Sequence, residues 1–547
     1  MPSIQRHRVT PGEWETARCG IAEPPGRLPG PGRTSTPLFT EGGTVAPRRA
    51  RQTIAVLGRL GLDEASHLAR GRLARDAREP RQSAERRRAQ AFRQALEQLG
   101  PLYVKVGQLL STRPDLMPAY MRAELSLLTD EVGALPFAAF EPVLEAELGG
   151  NWRSSFTSFE TAHVLGTASL AQVYRARRSD GTACVVKIQR PGSRETVLGD
   201  MALLRSVVKS VARMTPRFSE VIDAKAMIDV LFTSMADELD FTREAANMKD
   251  GRKAARGYRT IKVPKVILAT PSVLIQTLAK GQAANRMKPG DLSRKKRKRV
   301  SKELLTFIFK SYFIDRTFHA DPHPGNVLVD ADGTAHIIDW GMVGKIDRST
   351  SAAMLEALLA MAYNDGASLA RAWMRLGHTT PWSNIGGFTS DIARFVPRVT
   401  DASLEELNFG VAFSEVIAYS TRRGIQTAPA ASIIGKSFAN MEGTVRHISP
   451  GLKMADSIRE VLREVLLATV KDLVSPEQLG QYTLQSAHAI THGPGLGMRL
   501  LADLTNRQVT VQSNTQLGHP VKPGSRMPSG LKTALGLGAL AAWKHRR

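Results

Sequence analysis

The segment FHADPHPGNVLVDADGTAHIIDWGM, which runs from Phe318 to Met342, contains residues that could bind a metal ion and phosphate groups. Asp321 and Asn326 are five positions apart, and Asp339 follows thirteen positions later, after two short apolar runs. In kinase-type phosphoryl transfer, an aspartate orients the attacking group, an asparagine five residues later binds Mg²⁺, and an aspartate in a following turn binds the metal that bridges the phosphates. The spacing therefore predicts such a site, and a purely structural hairpin is the alternative.

The histidines of this segment are interpreted differently from its carboxylates. His319 occupies the first position of an H-x-D element, and Ala320 stands where protein kinases have an arginine. The pair His323-Pro324 is typical of small-molecule and atypical kinases. We expect His323 to form structural hydrogen bonds rather than to act as a base, and His336 to be an ordinary strand residue.

A phosphate-binding lysine must be positioned by elements upstream of this segment. The run ACVVKIQRPG places Lys187 on an apolar strand, just after a turn at Asp180-Gly181. Such a lysine needs an acidic partner on a nearby helix. A long amphipathic helix predicted near residues 224–249 offers Glu244, one turn after Asp240, and an exposed acidic helix surface is the alternative.

The remaining pattern predicts an α+β chain with five segments. They are a disordered segment rich in Arg, Pro and Gly at 1–50, a helical extension at 51–158, a β-rich lobe at 159–280, a helical lobe at 281–505 and a loose tail at 506–547. Short apolar strands are expected around 261–266 and 272–277. The acidic residues of the first segment argue against a targeting peptide, and a start codon placed too far upstream would also explain its composition.

Composition and charge limit the classes of function. Two cysteines, Cys19 and Cys184, cannot form a disulfide framework or a zinc site by themselves, so we expect a reducing compartment. The 75 Lys and Arg against 51 Asp and Glu give a net charge of +24, which suits an anionic partner. The charge is diffuse and no module combining aromatic and basic residues is evident, so specific nucleic-acid binding is not expected.

Two stretches could contact a membrane or a phosphate. The run TALGLGALAAW, from Thr533 to Trp543, is too short to span a bilayer; it is either a surface anchor with cationic flanks or a frayed tail. The basic run SRKKRKR, from Ser293 to Arg299, is either a solvated face or linker, or a patch that binds phosphate or lipid. We therefore expect a bacterial cytoplasmic protein with peripheral attachment to an anionic membrane surface.

Three further motifs carry a resemblance to a known family. KVGQLLSTRPDLMP, from Lys105 to Pro118, is similar to the K-x-G-Q signature of the UbiB family of atypical kinase-like proteins, also called ABC1 or AarF. ELDFTREAAN resembles its E-x-D element at Glu238 and Asp240, with Glu244 as the partner of the strand lysine. GTASLAQVYRA resembles the alanine-rich loop that replaces the glycine-rich loop of protein kinases. The likeness covers about residues 92–343 well and the later helical part loosely.

The resemblance implies a bilobal protein-kinase-like fold in which a helical N-terminal extension crosses the nucleotide cleft. It implies ATP and Mg²⁺ as cofactors, with Asp321, Lys187 and Glu244 as catalytic residues and Asn326 and Asp339 as metal ligands. The nucleotide-binding residues would be Gly166, Thr167, Ala168, Ser169, Lys187, Gln276 and Leu278. The regulatory residues would be Lys105, Gln108, Glu238 and Asp240, with Lys105 pairing with both acids.

A helix in the position of a peptide substrate argues against ordinary protein kinase activity. The resemblance instead implies ATP hydrolysis, or phosphorylation of a small lipid-like molecule, in support of isoprenoid quinone biosynthesis or lipid homeostasis. A homodimer or a complex of quinone-biosynthesis proteins is a further expectation. Two alternatives remain: a phosphotransferase of the aminoglycoside or choline kinase type, and an ATP-gated scaffold or lipid chaperone that transfers no phosphoryl group.

Overall fold

The computed structural model describes residues 81–128, 132–214, 224–288, 290–401, 409–452 and 454–473, together with a few isolated positions. The predicted disordered segment, the predicted tail with its apolar run, and most of the predicted helical lobe from 474 to 505 lie outside these residues. Most of the first thirty residues of the predicted extension also lie outside them.

The described helices and strands are numbered here in chain order. The helices are α1 (Arg81–Leu99), α2 (Pro101–Ser111), α3 (Ala119–Leu125), α4 (Glu141–Leu148), α5 (Ser193–Met214), α6 (Ala224–Glu238), α7 (Phe241–Ala254), α8 (Arg294–Phe313), α9 (Arg348–Ala362), α10 (Gly366–Leu376), α11 (Ile385–Asp401), α12 (Phe409–Arg422), α13 (Pro429–Ile448) and α14 (Met454–Leu473). The strands are β1 (Phe156–Thr167), β2 (Ala171–Arg178), β3 (Ala183–Gln189), β4 (Ile261–Lys262), β5 (Val266–Ala269), β6 (Val273–Thr277), β7 (Gln282–Ala283), β8 (Thr317–His319), β9 (Val327–Val329), β10 (Ala335–Ile337), β11 (Val343–Lys345), β12 (Gly377–Thr379) and β13 (Ile425–Thr427).

Five strands form an antiparallel sheet in the order β1-β2-β3-β6-β5. Successive side chains of a strand point to opposite faces. Cys184, Val186 and Ile188 of β3 pack into an aromatic core with Tyr174 on one face. Because side chains alternate between the two faces, Lys187 lies on the face opposite to this aromatic core.

The long helix expected near 224–249 is in fact two helices. α6 ends at Glu238 and α7 begins at Phe241, because Asp240 adopts an extended conformation and caps α7. Its carboxylate accepts a hydrogen bond from the Thr242 N–H at 3.0 Å, as an N-cap aspartate does. Asp240 is thus the cap of the helix that carries Glu244, and the prediction of one continuous helix is wrong.

The segment predicted as a strand around 261–266 also divides. Ile261 and Lys262 form β4, which pairs in parallel with β10 in a second sheet, whereas Val266 begins β5 of the large sheet. Pro264 lies between them and has no N–H to donate to a strand partner. The expected hairpin after Asn326 is present as β9 and β10, in antiparallel register.

The extension packs its helices closely, and Gly107 of the K-x-G-Q segment makes this possible. A Cβ at this position would overlap the side chains of Leu96 on α1 and Leu128 after α3. The core of this region joins the extension to α5 and α6 through apolar side chains that include Leu99, Tyr103 and Phe232. The helical extension therefore packs against α5 and α6.

The helical lobe is organised around α8, which is buried from Val300 onward. The basic run SRKKRKR is the cap and first turns of this helix, so it is not a linker, and its side chains are mostly exposed. None of the helices in the described ranges has the length and apolar composition needed to cross a membrane. The predicted α+β architecture is confirmed: a small β-rich lobe, a larger helical lobe and a helical extension.

Candidate active site

Lys187 of β3 and Glu244 of α7 form a buried ion pair. The lysine Nζ donates to both carboxylate oxygens of Glu244, at 3.0 and 2.8 Å, and lies 3.8 Å from Oδ1 of Asp339. Burial alone would lower the pKa of Lys187, but Asp339 and Glu244 together raise it above its ordinary value. The lysine is therefore held as a cation beside the aspartate predicted to bind metal.

The turn Asp339-Trp340-Gly341 is tied to α7 by three contacts. Its Trp340 N–H donates to Glu244 at 3.4 Å, and its Trp340 carbonyl accepts from the Asn247 side chain at 3.0 Å. The indole ring lies over Gly251, where any Cβ would overlap it. The helix that holds Lys187 and the turn that carries Asp339 are thus packed as one assembly.

Asp339 and Asn326 offer the oxygens that Mg²⁺ requires. Oδ1 of Asp339 accepts from the Gly341 N–H at 3.0 Å, and the Asp339 side chain is 44% exposed. Burial alone would raise the pKa of Asp339, but Lys187 and the Gly341 N–H keep it below its ordinary value. In the described residues, no group of three or more His, Cys, Asp or Glu side chains is arranged to hold a metal ion by itself. One carboxylate, one amide oxygen and substrate phosphates suit Mg²⁺, which rarely takes an all-protein cage.

His319 connects the two loops that carry the candidate carboxylates. Its Nδ1 accepts from the Asp321 N–H at 3.1 Å, and its Nε2 lies 2.5 Å from the Asp339 carbonyl oxygen. Because Nδ1 is an acceptor, the proton must lie on Nε2, which then donates to that carbonyl. Burial lowers the pKa of His319, so the neutral ring is maintained. His319 therefore fixes the backbone of Asp321 relative to Asp339.

The other two histidines of the segment have local partners. The His323 Nδ1 accepts from the Gly325 N–H at 3.1 Å, which shapes the turn before Asn326. His336 lies on β10 with its Nε2 3.3 Å from the Asp330 carboxylate. Both positions agree with the structural roles expected of them.

Both carboxylate oxygens of Asp321 are bound by side chains of α13. Lys436 Nζ lies 3.1 Å from Oδ2, and the Asn440 side chain donates to Oδ1 at 2.5 Å. Burial alone would raise the pKa of Asp321, but Lys436 and then Lys105 lower it to about 2. Lys436 and Asn440 were missed in the sequence because 115 and 119 positions separate them from Asp321 and no known spacing links them.

Lys105 of the extension lies between α6 and the segment that follows the Asp339 turn. Lys105 lies 3.4 Å from Glu238 of α6 and 3.8 Å from the sulfur of Met342, which follows the Asp339 turn. Of the two predicted partners of Lys105, Glu238 is the one at ion-pair distance, whereas Asp240 caps α7 and contacts Thr242 and Arg243.

Gln108 points back into the extension, where its amide donates to the Leu128 carbonyl at 3.3 Å. Further along the extension, Arg113 and Asp115 form a buried bidentate pair that contacts Thr421 of α12 and Ser432 of α13. The extension is thus fastened to the helical lobe as well as to α6.

The loop predicted to cover the nucleotide joins β1 to β2. Gly166 and Thr167 are the last residues of β1, and Ser169 is buried in the turn. The Ala168 N–H already bonds to Ala171, and its carbonyl accepts from the Arg190 side chain at 2.9 Å. The N–H of Ala168 is therefore used by the turn, and the surrounding backbone is held in place by Arg190.

Gln276 and Leu278 lie where the large sheet meets the helical lobe. Gln276 is the cross-strand partner of Val185, so both side chains share the face that carries Lys187. Its side-chain nitrogen lies 3.5 Å from the Ile338 carbonyl oxygen, and within the described residues its buried Oε1 has no hydrogen-bond partner. The Leu278 N–H donates to Ala183 at 3.1 Å, so that group is not available to a nucleotide.

Comparison with known proteins identifies the family. The model of the ABC1 atypical kinase-like domain matches residues 127–373. An uncharacterized protein from the hydrogenase 1 5′ region of Clostridium pasteurianum is 32% identical over 369 residues, which are 67% of this chain and 68% of that protein. A probable protein kinase UbiB of Xylella fastidiosa (strain M23) is 28% identical over 426 residues, 76% of each chain.

A solved structure, the complex of Rv3197 with erythromycin from Mycobacterium tuberculosis, aligns with a TM-score of 0.45 and 23% identity over 65% of this chain and 90% of that chain. The sequence relatives carry the assignment, because one of them exceeds 30% identity over two thirds of both proteins. The resemblance read from the K-x-G-Q and E-x-D motifs is confirmed, and the chain belongs to the ABC1 family of atypical kinase-like proteins, which includes UbiB.

Proposed function

We propose that the protein binds MgATP and transfers its terminal phosphoryl group to water or to a small lipid-like molecule. The observation that carries this proposal is the buried pair of Lys187 with Glu244, 3.8 Å from Asp339 on the same side of the cleft. Phosphoryl transfer is catalysed mainly by positioning and charge, and this arrangement provides a fixed cation beside a carboxylate suited to metal. The family assignment supports a kinase-like activity of this class.

Each residue has a defined task in this proposal. Lys187 binds the α- and β-phosphates, the backbone of Gly166 to Ser169 covers the nucleotide, and Gln276 lies at the back of its pocket. Asn326 and Asp339 hold Mg²⁺, which supplies positive charge that neutralises the phosphates. Asp321, ionised at neutral pH, orients the attacking hydroxyl or water rather than storing a proton, because a group with a pKa near 2 is a weak base.

The substrate class follows from the position of the extension. Lys105 contacts Glu238 and Met342 at the cleft, and the Arg113–Asp115 pair contacts the helical lobe. A segment fastened to both lobes leaves little room for a protein substrate, which favours water or a small molecule. The net charge of +24 supports action at an anionic membrane, and isoprenoid quinone biosynthesis is the process we propose it to serve.

An ATP-gated scaffold is a second candidate, and one observation favours it. Both carboxylate oxygens of Asp321 are already bound by side chains of the protein, Lys436 and Asn440. If those contacts persist when nucleotide binds, Asp321 cannot orient an attacking group, and ATP would only change the conformation. The two candidates differ in whether ADP is released.

The test is Mg²⁺-dependent release of ADP by the purified full chain, with and without vesicles containing anionic lipid. Asp339→Asn removes the proposed metal ligand, and Asp332→Asn is its matched control on the same hairpin, at an exposed position. We expect turnover in the wild type and in Asp332→Asn, stimulation by anionic vesicles, and loss of turnover in Asp339→Asn. Lys105→Ala, run in parallel, should change the rate because it frees the extension from Glu238.

Other outcomes assign the protein differently. Tight ATP binding with no ADP release from any form would favour the scaffold. Turnover that requires an aminoglycoside or choline as acceptor would favour the small-molecule kinase alternative. Neither binding nor turnover by the wild type would overturn the proposal.

A further inference from the structure

Lys436 is a cation in the cleft that no recognised motif includes. It lies on α13, beyond residue 373, where the match to the family model ends. Its Nζ is 3.1 Å from Oδ2 of Asp321, and its side chain is 23% exposed. The lysine is therefore held beside Asp321 without being fully buried.

The contact is built into the packing of α13 against the Asp321 loop. Ser437, which is fully buried, donates to the His319 carbonyl at 2.7 Å and accepts from the Tyr312 hydroxyl at 2.5 Å. Thr444 donates to the Pro322 carbonyl at 2.7 Å. These bonds flank Asp321 on both sides, so the placement of α13 does not depend on the salt bridge.

Lys436 and Asn440 divide the two oxygens of Asp321 between them. They are four residues apart on a helix and therefore lie on one face. Asn440 has no charge and donates to Oδ1, so one oxygen of the carboxylate is held without Lys436. The charge of Lys436 is therefore not required for orientation alone, and its long flexible stem allows the ammonium to move by a few ångströms.

Two other lysines near this site have their ion-pair contacts with different carboxylates. Lys187 is bound by both oxygens of Glu244, and Lys105 lies beside Glu238. Both come from outside the helical lobe, on the sheet and on the extension. Lys436 approaches from the helical lobe, on the side of Asp321. In the proposed function Asp321 orients the group that attacks the terminal phosphate, so that phosphate must come close to Lys436.

We propose that Lys436 binds the terminal phosphate of ATP, sharing or exchanging its contact with Asp321, while Asn440 keeps the carboxylate oriented. This inference rests on the proposed binding of MgATP. Lys436 forms no covalent bond and transfers no proton; its ammonium donates hydrogen bonds to phosphate oxygens and balances their charge. When Lys436 exchanges this contact for the phosphate, Oδ2 of Asp321 can accept a hydrogen bond from the attacking group.

The test compares affinities for MgADP and for the Mg²⁺ complex of a non-hydrolysable ATP analogue, by calorimetric titration of the full chain. Lys436→Gln keeps a donor for Asp321 but removes the charge. We expect it to weaken binding of the ATP analogue by roughly tenfold to a hundredfold, the range for a hydrogen bond to a charged group, and to leave MgADP within about threefold. Lys436→Arg should retain most of the preference for the analogue.

Two controls separate this role from a structural one. Lys345→Gln removes an exposed lysine of β11 and should change neither affinity. Asn440→Leu removes the other ligand of Asp321; it should slow turnover but leave the ratio of the two affinities unchanged. Circular dichroism of each variant establishes that it is folded.

Each contrary result has a distinct meaning. If Lys436→Gln binds both nucleotides as the wild type does, this inference is overturned and the proposed function stands. If it loses both affinities equally, Lys436 is structural and the inference is again overturned. If the wild type binds neither nucleotide, the proposed function fails and this inference fails with it.

Discussion

The indole ring of Trp340 lies directly on Gly251, and the contact leaves no space for a side chain at position 251. Trp340 belongs to the turn that carries Asp339, and Gly251 belongs to α7, which carries Glu244. The same two elements are joined by two hydrogen bonds: the Trp340 N–H donates to Glu244, and the Asn247 side chain donates to the Trp340 carbonyl. Aligning Asp339 with the Lys187–Glu244 pair therefore depends on a glycine.

Gly251→Ala should destabilise the protein by about 1–3 kcal/mol, because the added methyl group overlaps a buried ring. Gly199→Ala, in α5, is the matched control: nothing lies within 4 Å of its added Cβ. That change should stabilise the helix by up to about 1 kcal/mol. Urea unfolding of both variants measures their free energies of unfolding. Changes of the same sign and size in the two variants would contradict the close contact between Trp340 and Gly251.

Lys187→Met should destabilise the protein in a manner that depends on pH. Breaking a buried pair from one side costs about 3–5 kcal/mol, because an uncompensated charge remains. Burial already raises the pKa of Glu244, and this variant removes the cation that opposes the rise. A carboxyl whose pKa is higher in the folded than in the unfolded state takes up a proton on folding, so stability increases as the pH falls.

Free energies of unfolding at pH 8 and pH 5 test this expectation. The decrease in the free energy of unfolding that Lys187→Met causes, relative to the wild type, should be smaller at pH 5 than at pH 8. The double variant Lys187→Met/Glu244→Gln has no carboxylate at this position, so its loss relative to the wild type should change less between the two pH values. If the stability loss in Lys187→Met is the same at both pH values, Glu244 is not the uncompensated buried charge.

Arg113→Lys should loosen the attachment of the extension to the helical lobe. Arg113 donates two hydrogen bonds to Asp115, and the two residues contact Ser432 and Thr421. A lysine is a point charge and cannot reproduce the two-pronged contact. We expect a loss of about 1–3 kcal/mol and faster hydrogen exchange in α2.

The pair of Arg178 with Asp180 supplies the control for that experiment, because it lies exposed at a hairpin. Arg178→Lys should change stability by less than about 0.5 kcal/mol and leave exchange in α2 unaltered. Equal effects of the two arginine variants would mean that the buried pair does not hold the extension.

Asp321 should contribute stability that disappears in acid. Its pKa in the folded protein, about 2, lies below the ordinary value near 3.9. A group with a depressed folded-state pKa stabilises the fold above its unfolded-state pKa, and the contribution, about 2 kcal/mol here, is lost as the pH falls from about 4 toward 2. Lys436→Gln removes the main cation responsible, so the aspartate should titrate at higher pH.

Carbon-13 spectra of labelled aspartate follow this titration directly. Lys345→Gln, at an exposed site, should leave the Asp321 titration where it is in the wild type. An unchanged Asp321 pKa in Lys436→Gln would mean that Lys436 does not lower it.

Part of the fold could be predicted because its causes are local. The alternation of apolar residues in β3 assigns Lys187 to one face, and the fixed spacing of Asp321, Asn326 and Asp339 predicts the hairpin between them. The family resemblance covered these residues and the K-x-G-Q helix. Each of these features is encoded within a few neighbouring positions.

Other features depend on contacts between distant parts of the chain or on competing local signals. The break between α6 and α7 was missed because the apolar period continues through it, although Asp240, directly before the apolar Phe241, is an N-cap signal. Lys436 and Asn440 reach Asp321 only after α13 has packed against the loop, which no local pattern predicts.

The buried amide of Gln276 has a consequence for chemical inhibitors. Its nitrogen faces the Ile338 carbonyl, and in the described part of the chain its oxygen accepts no hydrogen bond. A compound with an N–H group directed at that oxygen would form a hydrogen bond away from bulk water, where such bonds contribute most to selectivity. Gln276→Met keeps the side-chain length without the amide, so the variant protein should bind such a compound more weakly than the wild type does.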